Sequence, residues 1–146
     1  DRGEMTLGGG PGISLYSFHG RGTLNGKPIR VSATERLSES LIVTGFPYDF
    51  KRKDDFARHL TAFLMQSRGV RRDGSAAIDM AYVACGRFDG FWEEGLNAWD
   101  MAAGKLLIEE AGGWITGYSG EQFSIYSPPV CASNGNIHNE MLAVLD

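Results

Sequence analysis

Apolar positions along this chain follow two rhythms, the period of two that marks strands and the wider spacing that marks helices. Ile13 to Phe18 alternates apolar with small polar residues, as a half-buried strand does. Thr23-Leu24 then meets Asn25-Gly26, a strong hairpin signal, and Lys27 to Val31 forms the return strand, with Pro28 suited to its entry or to a sheet edge. Leu41-Ile42-Val43-Thr44-Gly45-Phe46 is a β-branched run that stops at Pro47 and reads as a buried strand. Phe56, Leu60, Phe63 and Leu64 fall at i, i+4, i+7 and i+8, one stripe of a helix that Asp54 or Asp55 can cap and Gly69 can stop.

A second helix starts near Ser75, runs through Ile78 to Ala84 and ends at Gly86. Asp89-Gly90 turns the chain into a strand at Phe91-Trp92-Glu93. A third helix begins at Asp100, placed as N-cap or first-turn acid, carries Ala103, Leu106, Leu107 and Ala111, and stops at Gly112-Gly113. Strands at Trp114–Thr116 and Val130–Ser133 and a last helix over His138 to Leu145 complete the pattern. Alternating strands and helices define an α/β fold (α+β in some schemes), with helices on the faces of a sheet. The opening hairpin leads us to expect that sheet to be mixed.

Composition changes this picture little. With 146 residues, 42% hydrophobic and 22% charged, the chain is sized for one domain with its own core. Gly8-Gly9-Gly10-Pro11-Gly12 suggests an irregular segment over residues 1–14, ahead of a domain over 15–146. The opening Asp1-Arg2-Gly3-Glu4, with no initiator Met, adds the expectation that something upstream is missing. A net charge of −4 disfavours nucleic acid and anionic membrane as partners. The clusters Lys51-Arg52-Lys53 and Arg68 to Arg72 are expected to be solvated surface. Cys85 and Cys131 show no metal-ligand spacing and read as reduced, buried thiols. No stretch approaches the roughly 20 apolar residues of a membrane span, and no secretory signal is visible, so a cytoplasmic location is expected.

Candidate chemistry concentrates between Gly86 and Gly113, where Glu93, Glu94 and Asp100 accompany Trp92 and Trp99. A carboxylate at a strand-to-helix junction can hold a hard cation by its oxygens, although from residue type alone a plain N-cap for Asp100 and a solvated strand edge for Glu93 are the favoured readings. Asp73-Gly74-Ser75-Ala76-Ala77 offers a helix start whose free N–H groups suit anions or sugar hydroxyls, or an ordinary helix entry. The histidines His19, His59 and His138 show no ligand spacing.

Trp99-Asp100-Met101-Ala102-Ala103-Gly104 followed by Glu110-Ala111-Gly112-Gly113 closely resembles the C-terminal signature of inositol monophosphatases. Gly74-Ser75-Ala76-Ala77 with Asp79, Tyr82-Val83-Ala84 and Gly86 resembles the helix before it in that family. Leu24 to Ile29, Gly45-Phe46-Pro47-Tyr48 and Ala132 to Gly135 are similar to further family segments. The resemblance implies a three-layer α-β-α sandwich, the C-terminal half of the sugar-phosphatase fold. It implies Asp100 as a magnesium ligand, Glu93 as an acceptor for substrate hydroxyls, and Gly74, Ser75 and Ala77 as pocket lining. The implied reaction is hydrolysis of inositol monophosphate or a related sugar phosphate by a metal-activated water, in a homodimer sensitive to lithium. The family's upstream Glu and its Asp-Pro-x-Asp-Gly-Thr motif do not occur here. That points to no catalytic residue within this chain, inactivity of the chain alone, and a need for a longer enzyme or a complementary N-terminal half. A fructose-1,6-bisphosphatase activity and a non-catalytic regulatory or interaction role are the alternatives.

Overall fold

The computed structural model describes residues 22–46, 53–126 and 129–146, together with the backbone of 3–7 and 13–17. His19, Pro47, Tyr48, Lys51, Arg52 and the glycine run therefore lie outside the described residues. Four strands form an antiparallel sheet in sequence order: β1 (Gly3–Leu7), β2 (Ile13–Ser17), β3 (Gly22–Leu24) and β4 (Lys27–Pro28). β1 falls inside the segment expected to be irregular, and it pairs with β2 in a register that runs from Gly3–Ser17 to Leu7–Ile13. The β3–β4 turn carries Asn25 at φ 51° and Gly26 at φ 77°, the two positive angles that a tight hairpin requires and that these residues accept. The return strand stops at Pro28 rather than Val31, because Val31 turns its N–H to the Ala111 carbonyl.

The second sheet has five strands in the order β6-β5-β7-β9-β8: β5 (Leu41–Thr44), β6 (Gly69–Arg71), β7 (Gly90–Glu93), β8 (Trp114–Thr116) and β9 (Val130–Ser133). β5 runs parallel to β6 and β7, and β9 runs antiparallel to β7 and β8. The sheet is mixed as expected, but the cause differs. The hairpin strands form a sheet of their own, and the antiparallel edge is supplied by β9 and β8. Gly69 does not merely stop the helix before it; Gly69–Arg71 is an edge strand that the sequence reading missed, because three residues are too few to show a period.

Helices α1 (Lys53–Gln66), α2 (Ala76–Ala84), α3 (Ala98–Glu110) and α4 (His138–Leu145) cover both faces. Side chains that alternate along the strands build a core on each side. Val43, Phe91 and Ala132 point to α2 and α3 and meet Met80, Val83, Met101, Leu107 and Ile108. Their neighbours Ile42, Trp92 and Cys131 point the other way, to Phe63 of α1 and Met141 of α4. The result is the three-layer α-β-α sandwich, with the small sheet in contact with α3 through β1 and β2. Phe63 stacks on Trp92 at 5.3 Å between ring centroids, and His59 lies edge-on to the same indole at 5.8 Å. On α1 the buried stripe is thus Phe56, His59, Leu60 and Phe63, whereas Leu64, expected inside, is 55% exposed.

The extended segment after β4 is stitched to later elements. Asp89 accepts hydrogen bonds from Ser32 Oγ and from the Leu41 N–H, each at 2.6 Å. Asn134 Nδ2 donates to Ser32 Oγ at 3.0 Å and to the Thr34 carbonyl at 2.8 Å. His138 is held between Ser133 Oγ and Thr116 Oγ1, and Cys85 and Cys131 are free thiols. No helix among the described residues is long and apolar enough to cross a membrane.

Candidate active site

β5 leads through α1 to β6 on one side, and β6 leads through α2 to β7 on the other. The two helices lie on opposite faces, so the chain reverses direction across the sheet between the carboxyl ends of β5 and β7. Crevices at such switch points are where open α/β sheets bind ligands. A cavity of about 180 Å³ opens there. Its walls come from the ends of these strands (Gly45, Phe46 and Glu93), from the loop after β6 (Arg72, Gly74 and Ser75), and from the start of α3 (Leu96 and Asp100). Gly74, Ser75, Glu93 and Asp100, separated by up to 26 positions in sequence, thus meet at one cleft. Ala77, the fifth expected residue, is half-buried one position inside α2, and its neighbour Ala76 lines the cleft instead.

Each side chain is placed by a local cause. Gly74 takes φ 90°, a left-handed turn that costs glycine little, and Ser75 follows as the N-cap of α2. Asp100 is neither the first helical residue nor the N-cap. Asn97 caps α3, and Asp100 is its third residue, with Oδ2 accepting the Asn97 N–H at 2.9 Å. One oxygen therefore serves the helix start, which leaves Oδ1 as the donor atom available to a cation. Glu93 ends β7 with 6% of its surface exposed, so the solvated-edge alternative fails.

The electrostatics are those of crowded carboxylates. Burial, and then the negative charges of Asp79 and Asp100, push Glu93 up to about 7, against the opposing pull of Arg72. Burial and then Asp73 push Asp79 up to about 7 as well, with Arg72 again opposing. Asp79 lies on α2, fully buried, and neither of its carboxyl oxygens has a hydrogen-bond partner among the described residues. Its only sign in the sequence is an acid within the apolar run Ile78-Asp79-Met80-Ala81. Arg72 is exposed, as expected of its basic cluster, and its guanidinium also lies 4.8 Å from the centre of the Phe46 ring at the cleft wall. Both residues are functional candidates that pattern alone did not single out.

These donors are hard oxygens of the kind that hold magnesium or calcium, and excess negative charge in a cleft suits a cation. Among the described residues, no three His, Cys, Asp or Glu side chains are arranged to hold a metal ion. Carboxylates beside the amide-rich start of a helix can accept sugar hydroxyls while the N–H groups receive an anion.

An α/β protein with an acidic, helix-flanked cleft at its strand ends is the class these features define. Residues 12–145 match the inositol monophosphatase family, and the chain belongs to that family. It is 47% identical over 124 residues to an inositol-1-monophosphatase from Synechocystis, covering 84% of this chain and 43% of that protein. It is 41% identical over 130 residues to the Nus factor SuhB of Pseudomonas aeruginosa, covering 86% of this chain and 48% of that one. The solved inositol monophosphatase from Anabaena superposes with a TM-score of 0.85 at 41% identity, over 92% of this chain and 57% of that one. The chain thus spans about half the length of the curated relatives it matches.

Proposed function

We propose that this chain forms the substrate-facing part of a magnesium-dependent phosphatase acting on inositol monophosphate or a related sugar phosphate. The observation that carries the reading is the meeting of Glu93, Asp100 and the Gly74-Ser75 helix start at one cleft. Glu93, as a buried carboxylate at the cleft wall, accepts hydrogen bonds from ring hydroxyls. The free N–H groups at the start of α2, with Gly74 and Ser75, orient the substrate, and Ala77 supports that turn from within the helix. Asp100 would hold magnesium through Oδ1, and a bound magnesium supplies an activated water and neutralises the leaving oxygen. Magnesium prefers six oxygen ligands, several of them charged or from water and phosphate, so Asp100 needs further carboxylates to bind it tightly. Expected properties are therefore weak magnesium binding and no turnover by these 146 residues alone. A homodimer or a complementary N-terminal half, and a cytoplasmic setting, complete the reading; the two unpaired thiols suit the last.

The test is an NMR titration of the pure chain with myo-inositol 1-phosphate, with and without magnesium, alongside a phosphate-release assay. Magnesium-dependent shifts at Gly74, Ser75, Glu93 and Asp100, weakened in Asp100→Asn and Glu93→Gln, are expected. Binding that ignores both substitutions would overturn the site, and turnover by the pure chain would overturn its incompleteness. The same titration with fructose 1,6-bisphosphate ranks the alternative substrate.

A second reading, a regulatory interaction role, has one feature in its favour beyond the Nus factor name of the Pseudomonas relative. Arg71 and Arg72 are exposed at the end of edge strand β6. Reversing both charges would abolish partner capture on that reading.

A further inference from the structure

Gly45 is buried at the end of β5, where the chain leaves the sheet beside the end of β7. The carboxyl group of Glu93 fills the place where a side chain at 45 would begin. A Cβ there would overlap all three atoms of that group, Cδ, Oε1 and Oε2, and these are its nearest neighbours. The conflict differs in kind from that at Gly113, where a Cβ would meet the Ser133 carbonyl at 2.6 Å. Backbone cannot give way there without moving a strand, whereas the far end of a glutamate can rotate into solvent. At the cleft, Gly45 and Glu93 line the same wall.

We propose that Gly45 is a positioning residue for substrate binding, its missing side chain being the slot that keeps the Glu93 carboxylate against β5 and turned to the cleft. Any larger residue at 45 evicts that carboxylate while the sheet stays intact. The inference rests on the reading of Glu93 as the acceptor for substrate hydroxyls, but its geometric half stands apart from that reading. A slot one atom deep also makes the site intolerant of change at a position that contacts no hydroxyl itself.

The experiment compares Gly45→Ala, Glu93→Ala and the double variant of the whole chain, with two readouts. The first is affinity for myo-inositol 1-phosphate in magnesium. Hydrogen bonds to a charged acceptor carry a loss of roughly 10- to 100-fold when removed. Gly45→Ala is expected to weaken binding on that scale, as Glu93→Ala does, and to add nothing in the Glu93→Ala background. The second is the titration of the Glu93 carboxyl followed by carbon-13 NMR. Its midpoint, about 7 in the native chain, is expected to fall toward the ordinary glutamate range in Gly45→Ala. An unchanged midpoint would overturn the inference, as would losses that add in the double variant. Native affinity in Glu93→Ala with a lowered midpoint in Gly45→Ala would sink the hydroxyl reading and leave the slot standing. If Gly45→Ala does not fold, the double variant decides: removal of the glutamate side chain must restore folding, and failure to do so refutes the slot.

Discussion

Replacing Asp79 with Asn changes how stability depends on pH, and the direction follows from burial. In the unfolded chain this carboxyl loses its proton near 3.8; in the folded chain it keeps it to about 7. Between those values the folded state binds the extra proton, so stability is highest at low pH and falls as pH rises through about 7. Each unit corresponds to about 1.36 kcal/mol. From pH 5 to 8 the group traverses about two units of that window, so it removes about 2–3 kcal/mol of stability. The side chain is fully buried, so solvent screens its charge little. In a domain of this size that corresponds to roughly 5–10 °C in Tm. Asn cannot ionise, so Asp79→Asn should remove the greater part of this loss. Its unpaired amide costs about 1–3 kcal/mol at every pH, which moves the curve without tilting it. Part of the slope belongs to Glu93, also raised to about 7, and Asp79→Asn should reduce that part too by removing one of the charges that raise it. The assay is urea unfolding at pH 5 and pH 8 with divalent cations chelated. Equal slopes for the native chain and Asp79→Asn would refute the reasoning.

Three further substitutions test the frame around the cleft. Asp89→Ala leaves the Leu41 N–H and Ser32 Oγ without their acceptor and should cost about 2–4 kcal/mol in urea unfolding. Gly104→Ala drives a Cβ to 2.6 Å from Met80 Cβ, an atom that cannot rotate aside, and should cost about 1–3 kcal/mol through separation of α2 and α3. Phe63→Ala removes the ring stacked on Trp92 and should cost about 3–5 kcal/mol, with a change in tryptophan fluorescence.

The parts of the fold legible in the sequence were those governed by local rules. Asn25-Gly26 turned where its positive φ angles required, and the runs at Leu41, Phe91 and Val130 became strands because apolar residues on both faces have somewhere to go in a sandwich. What failed was decided at a distance. Leu64 belongs to the helical stripe by spacing, yet the sheet beneath α1 is reached by His59 instead. β6 exists because β5 offers an edge to pair with, and nothing inside Gly69–Arg71 announces that. In the cleft, Gly74, Ser75, Glu93 and Asp100 stand out by residue type and position at a helix start and a strand-to-helix junction, and the resemblance gives them roles. Asp79, Arg72 and Gly45 required coordinates, since burial of a charge and the space around a glycine are properties of neighbours.

The bonds from Asn134 back to Ser32 and Thr34 bear on the order in which the molecule assembles. They join positions 102 and 100 residues apart, whereas every wall of the cleft except Gly45-Phe46 comes from the continuous stretch between Arg72 and Asp100. Short loops close at low entropic cost and distant ones late, so the stretch β6-α2-β7-α3 should gather before the Asn134 clasp fastens. Amide hydrogen exchange should accordingly show the amides of residues 29–36 opening at lower free energy than those of α2 and β7. The molecule would then behave as an early-forming recognition unit held shut by a late, separately melting belt.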